Sequence, residues 1–498
     1  VRFPSLESPK TALWLAIGVA VLLCALYASL AVRSPATYYD DDVQHYLIAH
    51  YAWQHPWLFL DTWGRPAFTV LYAPAAALGL LATRLWSALL AGLVCLLSAL
   101  CAREWGVRWW WAAALLVGLQ PEFIRQGYSC LTELTFLGLL ALSLYGYKRQ
   151  NWLLVGVSAA FFAVARYETI PLVLIYGFIL WRHGRWWMVP LLAVPMLVQN
   201  GSWALYHGSA SYLLFPLDQA LGLRPGAAQM DYGVAGPSAY LKLIPAVFGG
   251  MVLVLAGVGF VRERFGLLHL FTVVNITVLL LLRSLVPSAG VGFDARYLAI
   301  SAVPVGILAV QGLERLGDGK AGWGWIVALI ISAGLGLALW YEGMIVAAIF
   351  AALVAILCAY DRFPELVWKI GRLGIVLAVM ATTVPQVRPF ELDAEHKQVI
   401  AAAEWYKAGG YSRRLVLASH MWFIYAVGLD YYDQRECQPI TPENIGEAPA
   451  GSIIVWDSHY SDRLVWHTPL FLLEDGRKFK LIRVWSEGDF RVLVFEKL

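Results

Sequence analysis

Residues 11–32 read TALWLAIGVAVLLCALYASLAV, and the chain continues at residue 38 with Tyr38-Tyr39-Asp40-Asp41-Asp42-Val43-Gln44-His45-Tyr46. The first stretch carries no charge and is long enough to cross a bilayer as a helix. It lacks a small-residue cleavage site, so it reads as a retained anchor rather than a signal peptide. The second stretch places three carboxylates where the chain leaves the apolar phase. Charge is costly beside hydrocarbon, so an acidic cluster at a membrane boundary marks a candidate functional site. The competing reading is a solvated loop that caps a helix. An aromatic, histidine-rich segment follows, up to Trp63.

The apolar character of residues 11–32 recurs to about residue 385. Of the 498 residues, 60% are hydrophobic and 14% charged, against roughly 25% charged in a soluble domain. Mean hydropathy is +0.63. The chain therefore reads as mainly α, a polytopic helical membrane protein. Its net charge of +3 gives no footprint for nucleic acid. The 23 Trp and 24 Tyr suit anchoring at membrane interfaces. The six cysteines show no CxxC spacing, which indicates neither a zinc site nor a disulfide framework. Spacing gives no support to a Cys130–Cys437 bridge.

Charge orients the spans, because short Arg- and Lys-rich loops stay in the cytoplasm. The basic groups are Arg103/Arg108, Lys148/Arg149, Arg182/Arg185, Arg262/Arg264, Arg315/Lys320 and Arg362/Lys369/Arg372, with Arg2 and Lys10 at the N-terminus. They fall on one side only if residues 67–82, which contain Pro74, do not cross, so that stretch is read as re-entrant or interfacial. About 13 spans result: 11–32, 85–102, 109–121, 131–147, 152–165, 169–181, 187–206, 241–260, 267–284, 297–313, 322–340, 344–360 and 372–386. Four loops then face outward, at 33–84, 122–131, 207–240 and 286–296. The acidic cluster and several arginines share that side, an arrangement suited to an anionic substrate together with proton or metal chemistry.

Residues 1–385 are read as the transmembrane catalytic module and 386–498 as a small outer α/β domain. In the latter, 395–408 has an amphipathic helical pattern, while 414–418, 452–456, 480–485 and 491–495 have strand patterns. No internal repeat stands out, which weakens the case for a repeat-built transporter.

With these features the chain resembles the GT-C superfamily of membrane glycosyltransferases, in the branch that includes protein O-mannosyltransferases and lipid A aminoarabinose transferases. The resemblance rests on Asp41-Asp42-Val43-Gln44-His45-Tyr46 with Ala49 and Trp53, on Gly64-Arg65-Pro66-Ala67-Phe68, on Arg84 at the head of a span, and on Pro121, Arg125, Ser129 and Glu133. The chain departs from many members in lacking a double proline, in carrying Glu133 where Asp is usual, and in offering three Asp for one catalytic position.

The resemblance implies an inverting transfer of a sugar from a polyprenyl-phosphate donor to a lipid, glycan or protein acceptor on the outer face. The expected setting is the plasma membrane of a bacterium or archaeon. A carboxylate acting as general base on an acceptor hydroxyl contributes typically ~10²–10⁴-fold. The departing lipid phosphate needs cationic partners, and the arginine fork can bind two phosphate oxygens. Asp42 is the first choice for the base by its spacing to Tyr46, Asp41 the alternative, and Asp40 a helix cap. Glu133 is expected to place the acceptor or a metal. Arg296, with Asp294 and Tyr297, is the first choice for the donor phosphate, ahead of Arg65, Arg84 and Arg166. The ordinary reading of each arginine is a snorkelling or ion-paired interfacial residue. Tyr46, His45 and Glu168 complete the substrate candidates, although Arg166 and Glu168, two residues apart, do not face each other on a continuous helix.

Three Asp can hold Mg²⁺ or Mn²⁺ through oxygen, and a metal at Asp40, Asp41 and Asp42 is left open. His45, His50 and His55 are spaced by five, which does not stack them on one helical face. Asn200-Gly201-Ser202 matches a glycosylation sequon, a pattern of low specificity. Two other function classes remain: a lipid or sugar transporter, and a non-catalytic assembly subunit. A transporter places ionisable residues near mid-membrane, whereas here most charges lie at span ends.

Overall fold

Ser8 caps the first helix, α1 (Pro9–Arg33), by accepting a hydrogen bond from the Thr11 amide, with Pro9 at the first helical position. At 1.5 Å per residue its 25 residues reach about 37 Å, more than the ~30 Å of hydrocarbon in a bilayer. The computed structural model describes residues 8–216, 238–285, 295–315, 365–383, 387–411, 414–463 and 466–498. After α1 come α2 (Asp40–Tyr51), α3 (Pro66–Ala76) and α4 (Leu80–Glu104). Helix α3 has 11 residues, about 16 Å, half of what a crossing requires. Gly79, at φ 109°, separates it from α4, so residues 67–82 form no single spanning helix.

Among the described residues, four helices are long and apolar enough to cross a membrane: Pro9–Arg33, Leu80–Glu104, Trp186–His207 and Ala295–Arg315. A fifth is obtained if Leu241–Phe248 and Gly250–Val261, bent by 104°, count as one broken span. These four or five helices, counted among the described residues, do not establish the expected number of about 13 spans. Residues 109–121 hold the seven-residue helix Ala112–Gly118, and 152–165 split into Trp152–Ala160 and Phe162–Ala165. Hydropathy registers apolar length but not the breaks that Pro, Gly and turns introduce. The expected spans 322–340 and 344–360 lie outside the described residues.

Helix crossings use small residues. The Tyr27 hydroxyl donates to the Gly118 carbonyl at 2.6 Å, fixing α1 against Ala112–Gly118. Helices Gly250–Arg262 and Ala302–Arg315 meet backbone to backbone. A Cβ on Gly259 would overlap the Leu308 carbonyl, and one on Gly312 the Leu255 carbonyl. This close approach suits helix association where dispersion replaces the hydrophobic effect.

The C-terminal part holds helix Ala394–Ala408 and a five-stranded sheet of order β2-β1-β3-β5-β4. The strands are β1 (Val416–Ala418), β2 (Cys437–Gln438), β3 (Ile453–Asp457), β4 (Phe479–Glu487) and β5 (Phe490–Lys497). β1 pairs in parallel with β2 and β3, and β5 antiparallel with β3 and β4. Four of these strands answer the alternating patterns in the sequence, while β2, two residues long, carries no such pattern. The period of two divides the sheet's side chains between two cores. Val416, Ile453, Val455, Val492 and Val494 share an apolar cluster with Val43, Leu47 and Tyr72 of α2 and α3. Leu417, Ile454, Trp456 and Phe495 form the other. The sheet thus sits directly on the loop that bears the acidic cluster. Cys130 and Cys437 are both buried free thiols in the shared cluster.

Candidate active site

Successive residues of a helix turn by about 100°, so the three carboxylates that open α2 point three ways. Asp42 is fully buried. Its Oδ1 accepts from the Cys130 amide at 2.5 Å and its Oδ2 from the Tyr38 amide at 3.2 Å. Burial pushes its carboxyl up, opposed by Arg84 and these two amides. Asp41 is paired with Arg296 and its side chain remains 28% exposed. Burial raises its carboxyl too, but the Arg296 guanidinium brings it below the usual range and keeps it ionised. Asp40 accepts from the Tyr460 hydroxyl and lies 3.3 Å from His396 Nε2, both in the C-terminal part. The three carboxylates thus face three different sets of partners, which gives the Mg²⁺ or Mn²⁺ left open for Asp40, Asp41 and Asp42 no shared set of ligands.

From Asp41 a chain of alternating charges runs inward. Arg296 pairs with Asp41 and its Nε lies 3.8 Å from Glu133 Oε1. Glu133, at the start of helix Glu133–Lys148, also accepts from Arg166 Nη1 at 2.7 Å, while Thr132 Oγ1 accepts from the same nitrogen at 2.9 Å. Arg166 Nε donates to Glu168 at 2.6 Å. That last contact differs from the expectation for a continuous helix. The helix ends at Ala165, Arg166 is extended at φ −153°, and a short 3-10 turn over Tyr167–Thr169 brings Glu168 round. The Tyr297 ring lies between the two arginines, 4.7 Å from the Arg166 guanidinium carbon and 5.3 Å from that of Arg296. Asp294 lies outside the described residues.

Arg65 is placed differently. Asp61 Oδ1 accepts from the amides of Trp63 and Gly64 at 2.8 and 2.6 Å, forming a turn that leaves Arg65 at φ 59°. A non-glycine residue there is strained, a feature concentrated at functional sites. The Arg65 guanidinium lies 3.8 Å from the Tyr167 ring centroid and donates to the Thr62 carbonyl at 2.9 Å. Among the described residues it has no carboxylate partner, unlike Arg166 and Arg296. Immediately after it, Pro66 and Ala67 line an apolar cavity of about 960 Å³. Leu134, Thr135, Gly138, Val164 and Val198 line it as well. Pro66 and Leu134, next to Arg65 and Glu133, and Val164, two residues before Arg166, are thus among its lining residues.

Three expected site residues are otherwise employed. Arg84, a phosphate candidate from sequence, is buried and donates to the carbonyls of Ser34 and Ala36, clamping α4 to the end of α1. Tyr46, four residues after Asp42, stands edge-on to Tyr425 at 5.7 Å. It packs with the C-terminal part rather than on the Asp41 side. His45, four residues after Asp41, is buried between Trp63 and Phe68. Burial pushes its imidazole down to about 3, Arg296 and Arg65 adding to this and Asp41 opposing. It therefore sits neutral beside the ion chain. The sequon residue Asn200 is buried and donates to the carbonyls of Leu213 and Phe215.

The arrangement places a partly exposed carboxylate at the head of a buried row of arginines and glutamates, with an apolar cavity lined by residues next to Arg65 and Glu133. No protein-family model matches the chain, and no curated protein does. Among solved structures it is similar to ArnT from Cupriavidus metallidurans in the apo state, with a TM-score of 0.56 and 14% identity over 97% of this chain and 98% of that one. It is equally similar to the same protein bound to undecaprenyl phosphate, with a TM-score of 0.56 and 15% identity over 99% of each chain. The chain has the GT-C fold. Arabinofuranosyltransferase AftD from Mycobacteria also matches, at 15% identity over 97% of this chain and 40% of that one, with a TM-score of 0.43.

Within this GT-C fold, sequence reading missed His396 and Tyr460, by which the C-terminal part holds Asp40 of α2, and the adjoining Glu395, His420 and His459. They come from separate elements, so no local spacing reveals them. The one available signal is that three of the chain's ten histidines lie between residues 396 and 459.

Proposed function

We propose that the chain transfers a sugar from a polyprenyl-phosphate donor to a hydroxyl acceptor at the outer face of the membrane, with Asp41 as general base. The observation that carries this reading is the apolar cavity of about 960 Å³ whose lining includes Pro66, Leu134 and Val164, one or two residues from Arg65, Glu133 and Arg166. A polyprenyl phosphate is a long apolar tail with an anionic head; the apolar cavity suits the tail, and Arg65, next to the lining residue Pro66, suits the head. That the similarly folded ArnT binds undecaprenyl phosphate favours the same lipid class.

In this reading the tail occupies the cavity and Arg65 takes the phosphate, because its guanidinium is not spent on a carboxylate. A fork that binds two phosphate oxygens stabilises the charge that develops as the glycosidic bond breaks. Arg296, the first choice from sequence, serves instead to hold Asp41. Glu133, fully buried between Arg166 and Arg296, fixes their guanidinium groups. Asp41 is the carboxylate left open to an acceptor, whereas both oxygens of Asp42 are occupied by backbone amides.

The test is turnover by purified protein in nanodiscs with a panel of polyprenyl-phosphate sugars and nucleotide sugars. Hydrolysis or transfer from a lipid-linked sugar, lost in Asp41→Asn while donor binding persists, is expected. Binding without turnover, indifferent to that substitution, would replace this reading with a transporter or an assembly subunit.

A further inference from the structure

We propose that Asp40, Glu395 and His459 form a site for one divalent transition-metal ion of the zinc type, fastening the start of α2 to the C-terminal sheet. The three residues come from three elements. Asp40 opens α2, Glu395 lies in the first turn of helix Ala394–Ala408, and His459 follows β3. Each presents a ligand atom, and these atoms all lie within 4.8 Å of one another. An ion at about 2.0–2.2 Å from each donor sets donor separations near 3.4 Å in a tetrahedral site, within side-chain adjustment of this arrangement. Two carboxylates and an imidazole are a zinc donor set that leaves one position for water. All three side chains are only partly covered, so an ion can reach them.

A second layer of groups supports the donors. The buried His420 donates from Nε2 to Glu395 at 3.0 Å, while its Nδ1 accepts from the Trp422 amide at 3.3 Å. The amide fixes the proton on Nε2, so His420 orients Glu395 as carboxylate–imidazole pairs orient metal ligands elsewhere. The Tyr460 hydroxyl donates to one Asp40 oxygen and thereby orients the other. His459 Nδ1, the nitrogen facing Glu395 at 2.6 Å, is the ligand atom. Its Nε2 meets the Arg463 guanidinium. With metal on Nδ1, Nε2 carries the proton and cannot accept, so Arg463 must withdraw when the ion enters. The guanidinium and the ion therefore compete, and removing Arg463 should tighten binding.

The assignment is independent of the catalytic reading and is tested without an activity assay. Tag-free, full-length protein in detergent is stripped with a chelator, exchanged into clean buffer and titrated with ZnCl₂. The readouts are elemental analysis and the unfolding temperature. One equivalent of zinc per chain and a raised unfolding temperature are expected. Glu395→Gln and His459→Gln should each weaken binding at least about tenfold, and Arg463→Ala should tighten it. His55→Gln, which alters a separate His–Asp contact to Asp430 across the same interface, should leave stoichiometry unchanged. The two ligand variants are first compared with the parent in chelator. If Glu395→Gln fails to fold, the partly exposed His459→Gln decides. Wild-type protein that takes up no equivalent of zinc, or uptake unchanged in the ligand variants, would overturn the site and leave a network held by protons and Arg463.

Discussion

The Arg166 guanidinium donates to Glu133 at 2.7 Å, and both side chains are almost wholly buried. Their charges can persist there only because each is the other's counterion, with Glu168 and Arg296 completing the row. Breaking a buried pair by removing one partner typically costs ~3–5 kcal/mol, because a charge is left without compensation. Glu133→Gln is expected to destabilise toward the lower end of that range, since Arg166 keeps Glu168. A double-mutant cycle with Arg166→Gln, read by unfolding in detergent, should show strong non-additivity. Additive effects would mean that the pair contributes nothing to the fold.

Arg65 and Arg84 separate binding from stability. Arg65→Ala should weaken capture of a polyprenyl phosphate at least about tenfold, because a bidentate charged contact is lost. The unfolding temperature should barely change, as Arg65 is partly exposed and has no carboxylate partner among the described residues. Arg84→Ala should do the reverse. It removes donors from two buried carbonyls, at about 1–3 kcal/mol each when they are left unsatisfied. Lipid-phosphate binding measured beside thermal unfolding distinguishes the two. An Arg84 variant that folds normally and loses the lipid would return Arg84 to the phosphate site.

The helical membrane class and the strands around residues 416, 453, 479 and 490 were legible because each is written in local pattern. Apolar length and period two are both short-range signals. The separate contacts of Asp40, Asp41 and Asp42 were not legible. Which Asp stays open depends on Arg296, 255 residues away, and on the Cys130 amide, 88 residues away. The pairing of Arg166 with Glu168 depended on a helix break that residue spacing does not announce. Arg296 looked free for phosphate because its partner Asp41 is distant in sequence. The same holds for Arg84, whose acceptors are main-chain carbonyls that no side-chain pattern shows.

The cavity makes a prediction about chain length. Gly138 lines it, and a Cβ there would approach only Val94, at 3.6 Å. Gly138→Leu can therefore be accommodated by the helix while its side chain fills the space that the proposed function assigns to the tail. Binding of long-chain polyprenyl phosphate should weaken, while a short-chain phosphate that does not reach Gly138 should bind as before. Equal loss for both lengths would indicate a distorted site instead of an occupied tail groove.

Gly312 bears on the bundle itself. Its missing side chain lets helix Ala302–Arg315 touch the Leu255 carbonyl of helix Gly250–Arg262. Overpacking costs typically ~1–3 kcal/mol, and here the obstacle is backbone, which cannot rotate away. Gly312→Ala should lower the unfolding temperature clearly. Gly371→Ala, with nothing near its Cβ, should be neutral or slightly stabilising. If both behave alike, the close crossing of those helices is not a feature of the folded protein.

Asp41 and Asp42 are adjacent in sequence and opposite in predicted behaviour. Asp42 is buried with one oxygen on the Cys130 amide and the other on the Tyr38 amide. Asparagine there keeps one acceptor and turns an NH₂ group toward the second amide, donor against donor. The cost is that of a buried polar group left unmatched, about 1–3 kcal/mol, so Asp42→Asn should lower stability, with turnover falling in step with the folded fraction. Asp41 is partly exposed and, among the described residues, makes no such amide contacts. Asp41→Asn should unfold close to the parent temperature and lose transfer by roughly 10²–10⁴-fold, the contribution of a general base. The measurement is turnover per folded molecule, with the folded fraction fixed by size-exclusion and thermal unfolding of each variant. A fully folded Asp42→Asn protein with no turnover, beside an active Asp41→Asn protein, would move the base to Asp42 and reverse the assignment.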